Sequence, residues 1–264
     1  MIVELIGCAG AGKTTLRNLI CEQGIRGQKV IAMPDLLLQR PVLRSVAHPT
    51  AVNVVQELGS LPFLLGALPD ERPFLAFARR TLWGHAASRF DRLNGMRGVL
   101  RKVGMFHLAR KRARDAIVLS DEGTLLSSYN LFVATKTDFG EVDLARFADL
   151  APMPDLVVYV RAPVESLVER ARSRPDPRRQ HVGMGAAEIE ADVRRTVELF
   201  DLLVQTVPVA GRVTIVESSD LDEEGRRRLA SEVIKRLLSS LPQERPSVGT
   251  ASALDSSLEE KVQR

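Results

Sequence analysis

Cysteine is nearly absent from this 264-residue chain, which has only Cys8 and Cys21. Two thiols make neither a disulfide framework nor a metal-ligand spacing, so nothing argues for an exported, cross-linked protein. Long apolar runs are missing as well. No stretch reaches the roughly 18–20 residues that cross a bilayer, and no basic flank or cleavage site precedes the first apolar segment; both predict a cytoplasmic protein with no membrane span. Aromatic residues make up 5% of the chain. Those of its middle part, Phe74, Phe77, Trp83, Phe90 and Phe106, are expected in the core rather than as stacking platforms for a substrate. Internal repeats are absent, and no Asn-Lys-x-Asp stands where a guanine-specific switch would need one. Acids are scarce in one segment: from Arg79 to Arg114, eleven Arg and Lys residues are set against a single acid, Asp91. Such a segment attracts anions, although a set of solvated helix faces has the same composition.

What is present is enough for a full core. With 45% hydrophobic residues and a net charge of +4, the chain can bury one α/β domain, expected over 1–241. Its most informative stretch is Gly7-Cys8-Ala9-Gly10-Ala11-Gly12-Lys13-Thr14, which fits G-x-x-x-x-G-K-[ST], the loop that cradles nucleotide phosphates. Ile2 to Ile6 reads as a buried strand before it, and Thr14 to Cys21 has helical spacing after it, as that loop requires. Gly7, Gly10 and Gly12 permit positive φ and close backbone approach, so the N–H groups around Ala11 and Thr15 can point at phosphate oxygens. Lys13 is expected to reach the β- and γ-phosphates, and the Thr14 hydroxyl to ligate Mg²⁺.

Further along, Gln28 to Met33 reads as a second strand ending at Pro34-Asp35. Asp35 then either lies at a ligand-binding strand end or caps the residues Leu36 to Gln39. From about 50 to 115 the pattern is helical, with breaks expected at Pro62, Pro69, Pro73 and Gly95. This insertion is where an acceptor site could be built. Ala116 to Leu119 is a short apolar run that leads through Ser120 to Asp121-Glu122. Joined to the phosphate loop, it has the form of the strand whose terminal carboxylate holds Mg²⁺. Asp121 is the first choice for that role. Glu122 is the neighbouring alternative or a base for the attacking hydroxyl, and both acids could instead cap the next helix. Leu156 to Val160 is a further strand, followed by a helix carrying Arg170, Arg172 and Arg174 and then a Pro-broken basic segment. By helical spacing Arg170 and Arg174 share a face and Arg172 points away, which suits a closing lid over about 170–186. Gly211 to Val216 reads as the last strand, Glu223 to Leu241 as the closing helix, and 242–264 as a disordered tail.

These residues resemble the thymidylate kinase and deoxynucleoside kinase group of P-loop kinases. The likeness lies in Gly7 to Thr15, in Asp121 after the third strand, and in Pro154 to Glu165 continued by Arg170-Ala-Arg-Ser-Arg174. The resemblance implies that Arg170 stacks on the adenine, that Arg174 reaches the transferring phosphate, and that Val216 to Asp220 line the adenine pocket. The chain departs from the group at Glu122, where an acceptor-binding arginine is usual, and in its longer, more basic helical insertion.

The expected fold is therefore α/β, a doubly wound parallel sheet of about five strands with a helical insertion. The expected function is ATP- and Mg²⁺-dependent phosphoryl transfer to a small-molecule acceptor: nucleoside, nucleotide or sugar-like, neutral or anionic. Lys13 and Arg174 would stabilise charge, and Asp35, Asp121 or Glu122 would orient the attacking group. An anionic acceptor would use Arg79 and Arg80 first. The rival reading is a nucleotide-switched module that docks a partner on the basic 79–114 surface. A sulfotransferase-like enzyme would not need the Lys13-Thr14 pair. Nucleic acid is not an expected partner, and a homodimer is left open.

Overall fold

A computed structural model describes residues 1–25, 27–37, 49–84, 88–112, 115–174, 181–219 and 222–239. The middle of the expected lid (175–180), Leu38, Gln39, Arg114, Asp220 and the expected tail 242–264 lie outside the described residues.

Five short apolar segments form one sheet: β1 (Ile2–Ile6), β2 (Lys29–Ala32), β3 (Ala116–Ser120), β4 (Leu156–Arg161) and β5 (Val213–Glu217). Their spatial order is β2-β3-β1-β4-β5, and every neighbouring pair is parallel. Parallel strands need cover on both faces, and β1 and β3 are accordingly buried at every position. The helices are α1 (Lys13–Gln23), α2 (Pro49–Trp83), α3 (Arg89–Arg112), α4 (Glu141–Leu150), α5 (Val164–Arg172), α6 (Ala186–Leu203), α7 (Val207–Ala210) and α8 (Glu223–Ser239). On one face Val3 and Leu5 pack with Leu16 and Ile20 of α1, Leu167 of α5 and Val233 of α8. On the other, Ile6, Val157 and Tyr159 pack with Phe74 of α2, Val103 of α3, Phe147 of α4 and Phe200 of α6. The doubly wound α/β sheet expected from the strand pattern is the observed architecture. No described helix is long and apolar enough to cross a membrane.

The helical insertion departs from expectation. Pro62, Pro69 and Pro73 do not break it, because all three lie inside the 35-residue α2. A proline interior to an isolated helix costs about 3 kcal/mol, so the helix needs compensation. All three prolines are exposed, and their spacing of seven and four puts them on one face. The carbonyls they leave without an N–H partner, those of Leu58, Leu65 and Pro69, then face water, while Leu64, Phe74, Ala78 and Leu82 are buried. Gly95 is likewise no break. It lies within α3, where a Cβ would come 3.0 Å from Cδ2 of Leu82, so it marks a close approach of α2 to α3. Phe74 and Phe106 are in the core as expected, but Trp83 and Phe90 are 44% and 58% exposed.

The basic segment is also less free than its composition suggests. Arg97 pairs with Glu57 at 2.7 Å, Arg101 with Glu122 at 3.4 Å, and Arg110 with Asp155 at 2.7 Å. Acids from other elements offset the local excess.

One charge is buried inside β1 itself. Glu4 is 1% exposed, on the same sheet face as Ile6. Burial pushes its carboxyl up from 4.5 to about 7, against hydrogen bonds from the Leu125 and Leu126 amides and Thr124 and the charge of Lys102, itself buried on α3. A carboxyl whose folded pKa is raised contributes stability that is fully present below the unfolded value near 4.5 and lost as pH rises through about 7. Glu4→Gln removes this dependence. In urea titrations the variant's stability relative to wild type should therefore rise from pH 5 to pH 8 by a few kcal/mol, on the order of the linkage for such a shift. A stability difference that is flat across this range would show that Glu4 titrates normally.

Candidate active site

The loop between β1 and α1 has the backbone expected of a phosphate cradle. Gly7, Gly10 and Gly12 have φ of 135°, 83° and 92°. Gly7 is the most constrained, since a Cβ there would sit inside the van der Waals envelope of the Val160 carbonyl oxygen. Ala11, 0% exposed, packs its methyl into the core beneath the loop, and Gly12 caps α1 in the left-handed conformation. Lys13 is 7% exposed. Its Nζ donates to the carbonyls of Gly7 at 2.6 Å and Cys8 at 2.8 Å, so the ammonium is held at the loop. Thr15 is exposed at the first turn of α1.

Parallel pairing of β1 with β3 brings the second part of the site alongside. Ile2, Val3 and Glu4 are in register with Val118, Leu119 and Ser120, so Asp121 follows β3 beside the phosphate loop. The Thr14 hydroxyl donates to Oδ2 of Asp121 at 2.6 Å. Arg17, one turn further along α1, donates to Oδ1 at 2.5 Å. This carboxylate is thus oriented from both sides, with side chains of Arg17 and Asp121 only 15% and 10% exposed. A hydroxyl and an acid at this separation, next to a buried ammonium and a row of left-handed glycines, fit a nucleotide with Mg²⁺. Among the described residues no group of three or more His, Cys, Asp or Glu could hold a metal by itself. Any metal here would accordingly be shared with phosphate oxygens.

Other candidate residues fall in different places. Glu122 lies at the apex after β3, with its side chain 67% exposed and 3.4 Å from Arg101. Asp35 is inside the single turn Met33–Leu36 after β2, whose N-cap position is Ala32. It lies towards α1. Burial raises the Cys21 thiol, and the charges of Asp35, Glu22 and Asp121 add to that rise against Arg17. Arg170 donates to the Gly10 carbonyl at 2.8 Å, which sets it over the phosphate loop. Arg172 instead donates to the Ala186 carbonyl at 2.9 Å on α6. Helix α5 closes at Arg172 with Ser173 as its C-cap. Arg174 therefore lies beyond the helix, exposed, and the shared-face spacing with Arg170 does not apply to it.

A cavity of about 570 Å³ opens between α2, α3, the segment after β3 and α6, with Glu122, Arg101 and Lys102 on one wall and Asn130, Lys136 and Asp192 on another. Arg79 and Arg80 are exposed and do not line it. The far wall is conformationally unusual. Tyr129–Val133 is a π-helical turn, and Lys136 is the one non-glycine residue with positive φ, 54°, among the described residues. Such features concentrate at functional sites. Asp192 accepts from the Tyr129 hydroxyl at 3.4 Å and lies 2.9 Å from Nε2 of the buried His181. Sequence reasoning passed over Arg17, although its spacing of three from Thr14 puts both on one helix face. It had no signal for Lys136, whose role depends on the fold.

No family model and no curated protein matches this chain. Among solved structures it is similar to a shikimate kinase from Bacteroides thetaiotaomicron, with 12% identity and a TM-score of 0.47 over 90% of this chain and 98% of that one. It is also similar to a thymidylate kinase from Candida albicans, with 13% identity and a TM-score of 0.48 over 91% of this chain and 93% of that one. A deoxyadenosine kinase from M. mycoides gives 15% identity and a TM-score of 0.42 over 91% of this chain and all of that one. The strand order, the glycine loop between β1 and α1 and the acid that follows β3 make the architecture a doubly wound parallel α/β sheet with a phosphate loop at its edge.

Gly7 offers a direct check of the cradle. Gly7→Ala should lose nucleotide binding and at least about 2 kcal/mol of stability, from a left-handed φ and an overpacked contact together. A calorimetric titration with ATP and a melting curve measure both, and wild-type values would mean that the loop has another conformation.

Proposed function

We propose that the chain is a phosphotransferase that carries the γ-phosphoryl group of ATP to a small polar acceptor in the 570 Å³ cavity. The observation that carries this reading is the 2.6 Å bond between Thr14 and Asp121 beside the glycine cradle, with Glu122 of the same turn on the cavity wall. The parts divide by chemistry. The loop amides and the N-terminus of α1 bind phosphate oxygens. Lys13, released from the Gly7 and Cys8 carbonyls, places its charge on the β- and γ-phosphates, and Arg170 over the loop adds a second cation. Thr14 and Asp121 are the residues that would hold Mg²⁺ beside the phosphates, where it would supply further neutralisation of the transferring group.

Glu122 is the residue we assign to orient the acceptor hydroxyl and take its proton. Asp121 is unsuited because it is turned to Thr14 and Arg17 on the phosphate side and does not line the cavity. Asp35 does not line the cavity. On this reading Arg101, paired with Glu122, has the acceptor-side place that Arg79 and Arg80 lack. The pairing of the basic segment with Glu57, Glu122 and Asp155 also favours an enzyme over a surface for docking a macromolecule. Arg174 could reach the phosphates only from outside α5.

Three measurements test the proposal. Lys13→Ala should lower kcat for ATP turnover at least about a hundredfold, the scale on which one electrostatic stabiliser acts, and wild-type turnover by that variant would refute phosphoryl transfer at this loop. Asp121→Asn should raise the Mg²⁺ concentration for half-maximal rate much more than Asp35→Asn does, and equal titrations would remove Asp121 from the metal site. Once a mass-shift screen of nucleosides, nucleotides, sugars and antibiotics identifies an acceptor, Arg101→Ala should raise its KM about tenfold or more, the cost of losing one charged hydrogen bond. The double variant Arg79→Ala/Arg80→Ala should leave that KM unchanged, and the opposite pattern would place the acceptor elsewhere.

A further inference from the structure

Glu4 has no part in the chemistry described so far, yet it is the one ionisable side chain in the wholly buried β1. Its surroundings are built for a carboxylate. Oε1 accepts from the Leu126 amide at 3.0 Å and Oε2 from the Leu125 amide at 3.2 Å, with the Thr124 hydroxyl 3.4 Å from Oε2 but bonded more closely to the Pro152 carbonyl at 2.6 Å. Gly123 presses against the same group so closely that a Cβ there would overlap the carboxyl carbon and Oε2. The backbone of Glu4 is meanwhile in register with Ser120, the last residue of β3. The chain from Ser120 to Leu126 thus leaves β3 beside Glu4, turns at Asp121 and Glu122, and comes back down onto the Glu4 carboxylate. One residue holds both legs of the turn.

We propose that Glu4 is a positioning residue that fixes Asp121 and Glu122 against the phosphate loop, so that its ionised carboxylate sets the catalytic turn. This rests on the phosphotransferase reading above. The groups that face Glu4 are Lys102 from α3, Ser120 from β3 and the 124–126 segment, and only Lys102 among them is charged. Burying a carboxylate here works against the fold at pH 8, because its burial raises the pKa. An apolar side chain here would leave the Leu125 and Leu126 amides without an acceptor, so the acid ties the returning leg of the turn through directed bonds. Ordered donors on an ionised carboxylate are what a fixed geometry needs.

The test uses water as the acceptor, so no identified substrate is required. Full-length wild type, Glu4→Gln and Gly123→Ala are compared at pH 8 for ATP affinity by calorimetry, Mn²⁺ affinity of the ATP complex by electron paramagnetic resonance, intrinsic ATP hydrolysis at saturating Mg²⁺ and ATP, and melting temperature. Glu4→Gln turns an NH2 towards a backbone donor and should melt a few degrees lower; assayed well below that temperature it should keep ATP affinity within about twofold, while Mn²⁺ affinity and hydrolysis fall by about tenfold or more, the range for groups that orient a metal ligand. Gly123→Ala, whose Cβ crowds the Glu4 carboxyl against the turn, should also lower Mn²⁺ affinity and hydrolysis, with a fall in melting temperature from the overpacked contact. Lowering the pH through about 7 should bring wild-type hydrolysis, divided by that of Glu4→Gln at each pH, down towards one. Hydrolysis and Mn²⁺ binding by Glu4→Gln at wild-type levels would overturn the positioning role alone, as would losses that simply track a fall in melting temperature. A wild type whose hydrolysis is absent or insensitive to Lys13→Ala would overturn the phosphotransferase reading, and this role with it.

Discussion

The register of β1 against β3 is the constraint on which the site depends. Neither strand carries the phosphate chemistry within it, but pairing Val3 with Leu119 and Glu4 with Ser120 brings the chain after β1 beside the chain after β3. Parallel strands end on the same edge, so two loops far apart in sequence emerge together with their hydroxyl and carboxylate within a hydrogen bond. Because the side-chain period of a strand is two, a slip of one residue would put Glu4 on the α1 side of the sheet and Val3 under the turn. The buried charge therefore penalises the wrong register as well as holding the right one.

The parts of this arrangement that sequence made legible are those set by local patterns. The glycine spacing from Gly7 to Gly12, the Lys13-Thr14 pair and the apolar run into Asp121 each state their geometry within a few residues, and the five strands follow from short apolar runs. Contacts across the fold were not legible. Arg79 and Arg80 looked available because they follow an aromatic helix turn, whereas Arg97 and Arg101 line the cavity because α3 presents them towards Glu57 and Glu122. Glu4 carried one signal, an acid within Ile2-Val3-Glu4-Leu5-Ile6. A strand buried on both faces cannot leave such a group without partners, but nothing local says which partners those are.

The helical insertion shows where tertiary structure overrides local preference. Three prolines in one helix would defeat it as an isolated segment, and propensity alone reads them as breaks. Their placement on one exposed face lets water satisfy the freed carbonyls, while Leu64, Phe74, Ala78 and Leu82 secure the opposite face. Phe74 and Phe77 meet Phe147 with ring centroids 5.8 and 6.5 Å apart, the first edge to face and the second tilted, aromatic contacts worth about 0.5–1.5 kcal/mol each beyond their burial. This packing makes α2 and α3 a firm wall for the cavity.

The same economy explains why charge gathers around one turn. Asp121 is fixed by Thr14 and Arg17, Glu122 is paired with Arg101, and the returning leg rests on Glu4 with Lys102 nearby. Each acid near the transferring phosphate thus has a cation close by that limits its repulsion of the nucleotide. Yet the acids differ in what holds them. Asp121 and Glu4 are buried and have directed donors, so their positions are nearly determined by the fold, whereas the Glu122 side chain is largely exposed and its contact with Arg101 is long. A base must change partners during turnover, giving up one cation as it meets a hydroxyl, and a metal ligand must not. On the proposed reading the rigid acid on the phosphate side would hold the metal and the looser one on the cavity side would act as the base, along a turn whose returning leg rests on the buried Glu4 carboxylate.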